Sequence, residues 1–247
     1  MKIVIITGGS RGIGAATALE CARDGMGVIL TWNANRGKAE EVVARIASEG
    51  GAAVALPLDV GVSASFPAFR AQVAEALAAT WSRDRFDALV NNAGHGVFTP
   101  LETVGEDAFD GLYRVHLKGP FFLAQALLPL MADGGHIVNM VSATSRVATA
   151  GVAPYASFKA GLEVLTRYQA KELGPRGIRA NSIAPGPIRT ELGGGLSADF
   201  ETLLAGQTAL GRVGEAAEVG GVVAGLLSDR SRWINAQSIE VGGGYMI

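Results

Sequence analysis

Short apolar runs alternate with amphipathic stretches from one end of the chain to the other. Apolar runs at Ile3–Ile6, Val28–Thr31, Ala53–Leu58, Ala88–Val90, Ile137–Val141, Ile178–Ile183 and Ser238–Val241 predict seven strands. Between them, helical spacing predicts Ala15–Asp24, Arg36–Glu49, Ser65–Thr80, a long helix Glu106–Met131, Ala156–Leu173 and Ala216–Ser228, with a short helical stretch at Ala198–Ala205. The punctuation fits. Gly25 and Gly50-Gly51 stop two helices, Gly174-Pro175 closes another, and Ser63 or Ser65 can cap the third. In the second helix Val42, Val43 and Ile46 share one face.

Strands alternating with helices, with no hairpin signal, imply an α/β fold with a doubly wound parallel sheet and helices on both faces. No linker interrupts the pattern, so residues 1–247 are expected to form a single domain. Ligands of such sheets sit beyond the carboxyl ends of the strands, at the switch point between the windings. Those ends carry Thr7–Gly14, Trp32-Asn33, Asp59-Val60, Asn91–Gly94, Ser142 and Ala184-Pro185-Gly186-Pro187. Each follows an apolar run, and a purely structural chain has no need of polar or glycine residues at six edges together.

The stretch Lys2–Gly14, KIVIITGGSRGIG, runs from strand through a glycine turn to a helix N-terminus. That order presents backbone N–H groups and a positive dipole end to a pyrophosphate. A strand–turn–helix corner with no ligand is the plain alternative for this segment alone. The glycines fall at Gly8, Gly12 and Gly14 behind Thr7, a T-G-x-x-x-G-x-G spacing, while Thr17 takes the third place of the common G-x-G-x-x-G fingerprint.

Composition narrows the classes. Of 247 residues, 49% are hydrophobic and 18% charged, with a net charge of −2, which argues against a general nucleic-acid binder. Cys21 is the only cysteine and the three histidines are scattered, so neither a disulfide framework nor a metal site is expected. No apolar run reaches the ~18 residues of a membrane span. No secretory signal is evident, and a cytoplasmic location without a membrane partner is the expectation.

The chemistry-bearing residues come later. Ser142 ends the fifth strand, and Tyr155 and Lys159 follow at i and i+4 of a helix, so their polar tips can converge. A phenol titrates near ~10, and a neighbouring ammonium lowers that value. A Tyr-x-x-x-Lys pair alone is often only a surface pair. Together with Ser142 and the opening glycine motif, it is similar to the catalytic set of the short-chain dehydrogenase/reductases. The resemblance covers essentially the whole chain, through Thr7-Gly8-x-x-x-Gly12-x-Gly14, Asn91-Asn92-Ala93-Gly94, Ser142/Tyr155/Lys159 and Pro185-Gly186 with Ile188 and Thr190. It is close to the branch that contains 3-oxoacyl-acyl-carrier-protein reductases.

The resemblance implies a Rossmann-type seven-stranded sheet and an NAD(P)-dependent oxidoreductase that interconverts a carbonyl and a secondary alcohol. Tyr155 would be the general acid/base, Ser142 would hold the substrate oxygen, and Lys159 would lower the Tyr155 pKa and bind the nicotinamide ribose. Gly8, Ser10, Arg11, Gly12, Ile13 and Gly14 would cradle the pyrophosphate. Asp59 and Val60 would contact the adenine, and Asn92, Ala93 and Gly94 would line the cofactor path, with Asn91 bracing its strand. Pro185, Gly186, Ile188 and Thr190 would meet the nicotinamide end.

One position departs from the family. Where it usually has asparagine in a Val-Asn-Leu-Lys-Gly context, this chain reads Val115-His116-Leu117-Lys118-Gly119. The resemblance makes His116 part of a proton relay that holds a water largely through a main-chain carbonyl. The relay could persist with altered pH dependence, since imidazole titrates near neutrality. His116 could instead simply pack, or catalysis could be lost. His95 could touch substrate or be loop polarity, and His136 reads as structural.

For the cofactor, no carboxylate stands at the end of the second strand, where NAD-binding relatives hold the ribose hydroxyls. Trp32 is followed by Asn33, Ala34, Asn35 and Arg36, and Arg11 and Arg36 could pair with a 2′-phosphate. NADP(H) is therefore expected, with NAD(H) possible if both arginines are merely solvated. Glu191–Leu210 is expected to form a flexible, apolar lid. With Val97, Phe98, Val147, Ala150 and Val152 on the approach, it suits an apolar ketone or 3-oxoacyl substrate rather than a charged one. Family members are commonly tetramers. Apolar Leu117–Leu130, Leu162–Leu173 and Ile239–Ile247 fit a homotetramer or homodimer, or could face the sheet of a monomer. A non-catalytic dinucleotide-binding protein is the rival from another class; a dehydratase or epimerase on the same fold is a second.

Overall fold

The computed structural model describes residues 1–247. In chain order the elements are β1 Ile3–Ile6, α1 Gly12–Arg23, β2 Gly27–Trp32, α2 Arg36–Ser48, β3 Ala53–Pro57, α3 Phe66–Trp81, β4 Phe86–Asn91, α4 Glu106–Tyr113, α5 Gly119–Leu127, β5 Met131–Met140, α6 Ala153–Leu173, β6 Arg179–Pro185, β7 Ile188–Arg189, α7 Ala198–Gly206, β8 Gly214–Glu215, α8 Ala216–Leu227 and β9 Ser238–Val241. Seven of the strands form one sheet in the order β3-β2-β1-β4-β5-β6-β9, and every pairing is parallel. This is the doubly wound Rossmann-type sheet. Its winding reverses between β1 and β4, which opens a crevice at their carboxyl ends.

Alternation along β1 divides the core. Ile3 and Ile5 join a cluster with Val73 and Leu77 of α3, Leu123 and Leu127 of α5, and Ala170 of α6. Val4 and Ile6 join the opposite cluster with Ala18 and Cys21 of α1, Ile46 of α2, and Val219 and Val223 of α8. All four β1 side chains are fully buried, each contributing roughly 1.5–3 kcal/mol relative to exposure. A strand buried on both faces has to be apolar throughout, which is why these strands read as runs rather than alternations.

The helix expected over Glu106–Met131 is interrupted. Arg114–Lys118 forms a π turn between α4 and α5, with Pro120 opening the next segment. The extra residue of a π turn re-aims one side chain, and here the residue on it is His116. The strand expected from Ile137 begins six residues earlier, at Met131, and passes through Gly134 at φ +78°. Helix α6 begins at Ala153 rather than Ala156, because Pro154 suits a first turn, so Tyr155 is already helical. Ser63–Ser65 forms a short 3₁₀ turn ahead of α3; neither serine caps α3, and the Ser65 hydroxyl donates to Val62 O at 2.8 Å. The two-residue β7–β8 ladder anchors the start of the Thr190–Gly195 strap. No helix is long and apolar enough to cross a membrane. No three His, Cys, Asp or Glu side chains come together as a metal site.

Candidate active site

The glycine turn is built by close approach. A Cβ on Gly14 would stand 2.2 Å from Gly8 O, and one on Gly8 would stand 2.8 Å from Ala93 Cα, so α1 and the β4 loop press on the turn where only hydrogen fits. Gly8 and Gly12 take φ of +66° and +54°. Asn92 Nδ2 donates to Thr7 O at 2.9 Å and Gly8 O at 3.2 Å, so this side chain braces the turn. Thr7 Oγ1 accepts from the Asn92 and Ala93 amides and so locks the Asn91–Gly94 motif to β1. Asn91 donates to Asn139 on β5 at 2.8 Å.

The amides of Ser10, Arg11, Gly12 and Ile13 have no protein acceptor, and beyond Gly12 only the Thr190 side chain comes near. Free amides at the start of a twelve-residue helix suit a pyrophosphate. These residues therefore fit the dinucleotide that the sequence implies.

At the adenosine end, Asn33 is exposed. Asp59 Oδ1 accepts from the Gly61 amide at 2.8 Å, and the Val60 side chain is buried in the core beneath α5, with its carbonyl packed against Gly119. Arg36 does not reach the glycine turn. Its Nε donates to Glu40 at 2.7 Å, one turn along α2, and it lines a shallow groove with Trp32 and Val43. The cation that does approach Arg11 is Lys38. Lys38 Nζ lies 3.0 Å from Glu191 Oε1, and Arg11 Nη1 lies 3.1 Å from Glu191 Oε2. Neither Lys38 nor a contact of Glu191 with Arg11 is among the expectations from sequence. An i,i+4 Arg36–Glu40 pair was the available signal that Arg36 would be occupied.

At the carboxyl end of β5, Ser142 caps a short turn and accepts from Thr144 Oγ1 at 2.9 Å. Loss of hydration pushes the Tyr155 phenol up to about 12, opposed by a hydrogen bond with the Ser142 side chain. Lys159 is 4% exposed, and its Nζ donates to Met140 O at 2.6 Å and lies 5.6 Å from the Tyr155 ring centre. Burial brings its ammonium down to about 7. In the free protein burial outweighs the lowering of the Tyr155 pKa expected from Lys159, whose amine is held on the β5 carbonyl.

His116 lies against this centre, its ring edge-to-face on Tyr155 at 4.9 Å. It is 1% exposed. Burial and the Lys159 charge hold its pKa well below the usual imidazole value. The nicotinamide-end segment is close by. Gly186 packs backbone-to-backbone on Gly242, Pro185 ends β6, Ile188 covers Gly214, and Thr190 reaches Gly12. From there the strap continues to Gly193, which packs against Gly96 and Phe98 of the β4 loop. Helix α7 closes one wall, with Leu204 buried against Ala143, Val147, Val213 and Tyr245.

Residues 8–246 match the family profile described as "Enoyl-(Acyl carrier protein) reductase". The chain is 34% identical over 245 residues to a 3-oxoacyl-acyl-carrier-protein reductase of Staphylococcus epidermidis, covering 98% of each. It superposes with a TM-score of 0.92 and 33% identity on a short-chain dehydrogenase/reductase from Serratia marcescens, covering 100% of this chain and 98% of that one. With an angucycline C-6 ketoreductase, LanV, solved with bound NADP, the TM-score is 0.95 at 32% identity, covering 99% and 95%.

Proposed function

The chain belongs to the short-chain dehydrogenase/reductase family and is an oxidoreductase; we propose that it interconverts a carbonyl and a secondary alcohol with NADP(H), Tyr155 acting as general acid and base. The observation that carries this reading is the meeting of Ser142, Tyr155 and Lys159 at the carboxyl end of β5, across the winding switch from an amide-rich glycine turn. Bound NADPH supplies the hydride to the carbonyl carbon. Ser142 holds the substrate oxygen, and Tyr155 Oη gives it a proton in reduction or takes one in oxidation. Lys159 orients the ribose and stabilises the tyrosinate when charged.

NADP(H) rather than NAD(H) is supported by the absence of a carboxylate at the end of β2 and by Arg11 at the turn. An apolar ketone or 3-oxoacyl substrate is supported by the walls of the approach. Val147 and Leu204 are buried beside Ser142's turn, and Phe98 and Leu192 stand 60% and 50% exposed at the mouth. The exposed aromatic residues Phe109, Phe121 and Phe122 on α4 and α5, with Tyr168 on α6, support a homotetramer or homodimer. Light scattering of the purified chain tests that part.

The deciding experiment is turnover with NADPH, and separately NADH, over apolar ketones, β-keto esters and an acyl-carrier or N-acetylcysteamine thioester. We expect NADPH-dependent reduction that drops at least ~10²-fold in Tyr155→Phe. The preferred substrate separates a 3-oxoacyl reductase from a general ketone reductase. Tight NADPH binding with no turnover of any of these would sink the proposal.

A further inference from the structure

The strap that follows β7 is tied across the cofactor crevice by one carboxylate. Glu191 spans two cations from the two neighbouring βα turns. Arg11 is the residue before α1, beside the free amides of the glycine turn, and Lys38 lies in the first turn of α2. Both carboxylate oxygens are engaged, Oε1 with Lys38 at 3.0 Å and Oε2 with Arg11 at 3.1 Å and Lys38 at 3.2 Å. The strap is held at its other end too, by Gly193 against Gly96 and Phe98. The charges hold the Glu191 carboxyl below the usual carboxylate range.

In a doubly wound sheet, the end of β2 and the start of the following helix are where the adenosine ribose is read. A 2′-phosphate brought there is a dianion with three acceptor oxygens, and it competes well against a single carboxylate for the same cations. We propose that Glu191 is an internal competitor for the 2′-phosphate of NADP(H). It occupies Arg11 and Lys38 in the free protein, and the phosphate displaces it and releases the strap. This inference rests on the NADP(H) reading above and deepens it. It makes Lys38, rather than Arg36, the partner of Arg11 in phosphate recognition, because Arg36 is committed to Glu40. It also assigns Glu191 a part in specificity. NAD(H) carries no 2′-phosphate to displace the carboxylate, so it binds beneath a strap that stays tied, while NADP(H) unties it.

All three side chains are at least 38% exposed, so substitutions there leave the core intact. The test is calorimetric titration of the full chain with 2′,5′-ADP and with 5′-AMP, for wild type, Glu191→Gln, Lys38→Gln and the double variant. These ligands differ only in the 2′-phosphate and require no turnover. Glu191→Gln should tighten 2′,5′-ADP by ~3- to 10-fold, the scale of two exposed ion pairs removed from competition, and change 5′-AMP by less than ~2-fold. Lys38→Gln should weaken 2′,5′-ADP, and in the double variant most of the gain from Glu191→Gln should vanish. Equal tightening of both ligands, or of neither, in a protein that still prefers 2′,5′-ADP overturns the competitor. A wild type that binds the two ligands equally overturns the NADP(H) reading and the competitor with it.

Discussion

His116 Nε2 lies 2.7 Å from the main-chain oxygen of His95. A carbonyl only accepts, so the nitrogen facing it carries the proton, and the other nitrogen, Nδ1, is buried without a partner. A ring in that state ties the π turn to the β4 loop and abuts Tyr155, and it does so uncharged. Protonation would put a cation into a dry site beside Lys159.

The pH consequence is the opposite of what imidazole near neutrality suggests. Because burial depresses its pKa well below the usual value, His116 stays neutral as pH falls through ~6.5, and no limb of the rate profile near neutrality should belong to it. Profiles of kcat/KM for wild type and His116→Asn, measured from pH 5.5 to 8, should therefore share their limbs. An acidic limb near ~6.5 that disappears in the variant would show that the imidazole titrates during turnover.

In the proposed mechanism Lys159 supplies the limb instead. Its ammonium titrates at about 7 in the free protein, and in that mechanism the charged form stabilises the tyrosinate left after proton donation. In the reduction direction, kcat/KM for NADPH should therefore fall as pH rises through about 7, and the residual activity of Lys159→Arg should hold to higher pH. A flat profile between pH 6 and 9 would count against the assignment.

The same burial has a cost in stability. The unfolded lysine titrates at its ordinary 10.5 and the folded one at about 7, so between these values the unfolded chain binds the extra proton. Stability from this group consequently rises with pH across that window and is lowest at and below about 7. Lys159→Met removes the penalty but strips Met140 O of its donor, a loss of ~1–3 kcal/mol. We expect a net gain on the order of 2 kcal/mol at pH 7, seen as a Tm higher by several degrees in a protein without activity. An unchanged or lower Tm at pH 7 would refute it.

Much of this arrangement was legible beforehand, for physical reasons. Inner strands such as β1 and β2, buried on both faces, show as apolar runs, whereas the edge strand β9 keeps Ser238 and Glu240 exposed and shows as an alternation; all seven strands of the main sheet were located, and the polar residues at their ends marked the crevice. What stayed hidden depends on angle rather than on identity. No residue type in Arg114–Lys118 announces a π turn, although the turn is what carries His116 beneath the β4 loop. Arg36 and Lys38 are both cations at a helix start, and only the phase of α2, set by the Asn35 cap on the Lys38 amide, sends one to Glu40 and the other to Glu191. The Lys159–Met140 contact joins residues 19 apart in sequence and needs β5 and α6 already packed.

Two glycines separate the demands of the turn from those of the fold. A Cβ at Gly14 would meet Gly8 O at 2.2 Å and Asn92 Nδ2 at 2.5 Å, whereas one at Gly220 would meet the α1 backbone at Ala16 C at 2.8 Å. Either change to alanine overpacks a backbone contact and should cost ~1–3 kcal/mol in denaturant titrations. Only Gly14→Ala distorts the amide cradle, so it should weaken NADPH by at least ~10-fold while Gly220→Ala stays within ~2-fold. Equal losses of affinity would mean that α1 moves as a rigid unit with the turn.

Cys21 offers a probe of how often that unit opens. It is fully buried on the inner face of α1, and desolvation, with Asp24 and Glu20 adding to it, pushes the thiol up to about 12. The thiolate is the reacting species, so at pH 8 only ~10⁻⁴ of the native thiol is reactive, and none of it is reachable without local unfolding. Ellman's reagent should leave the native protein essentially unlabelled over an hour and titrate one equivalent in denaturant, since the chain has a single cysteine. NADPH held at ~100 times its Kd should slow labelling further, by up to ~100-fold if opening of α1 abolishes binding at its N-terminus. Labelling within minutes in the native state would show that α1 opens far more readily than its packing against α8 implies. Labelling unaffected by NADPH would place the opening at the far end of the helix, away from the glycine turn.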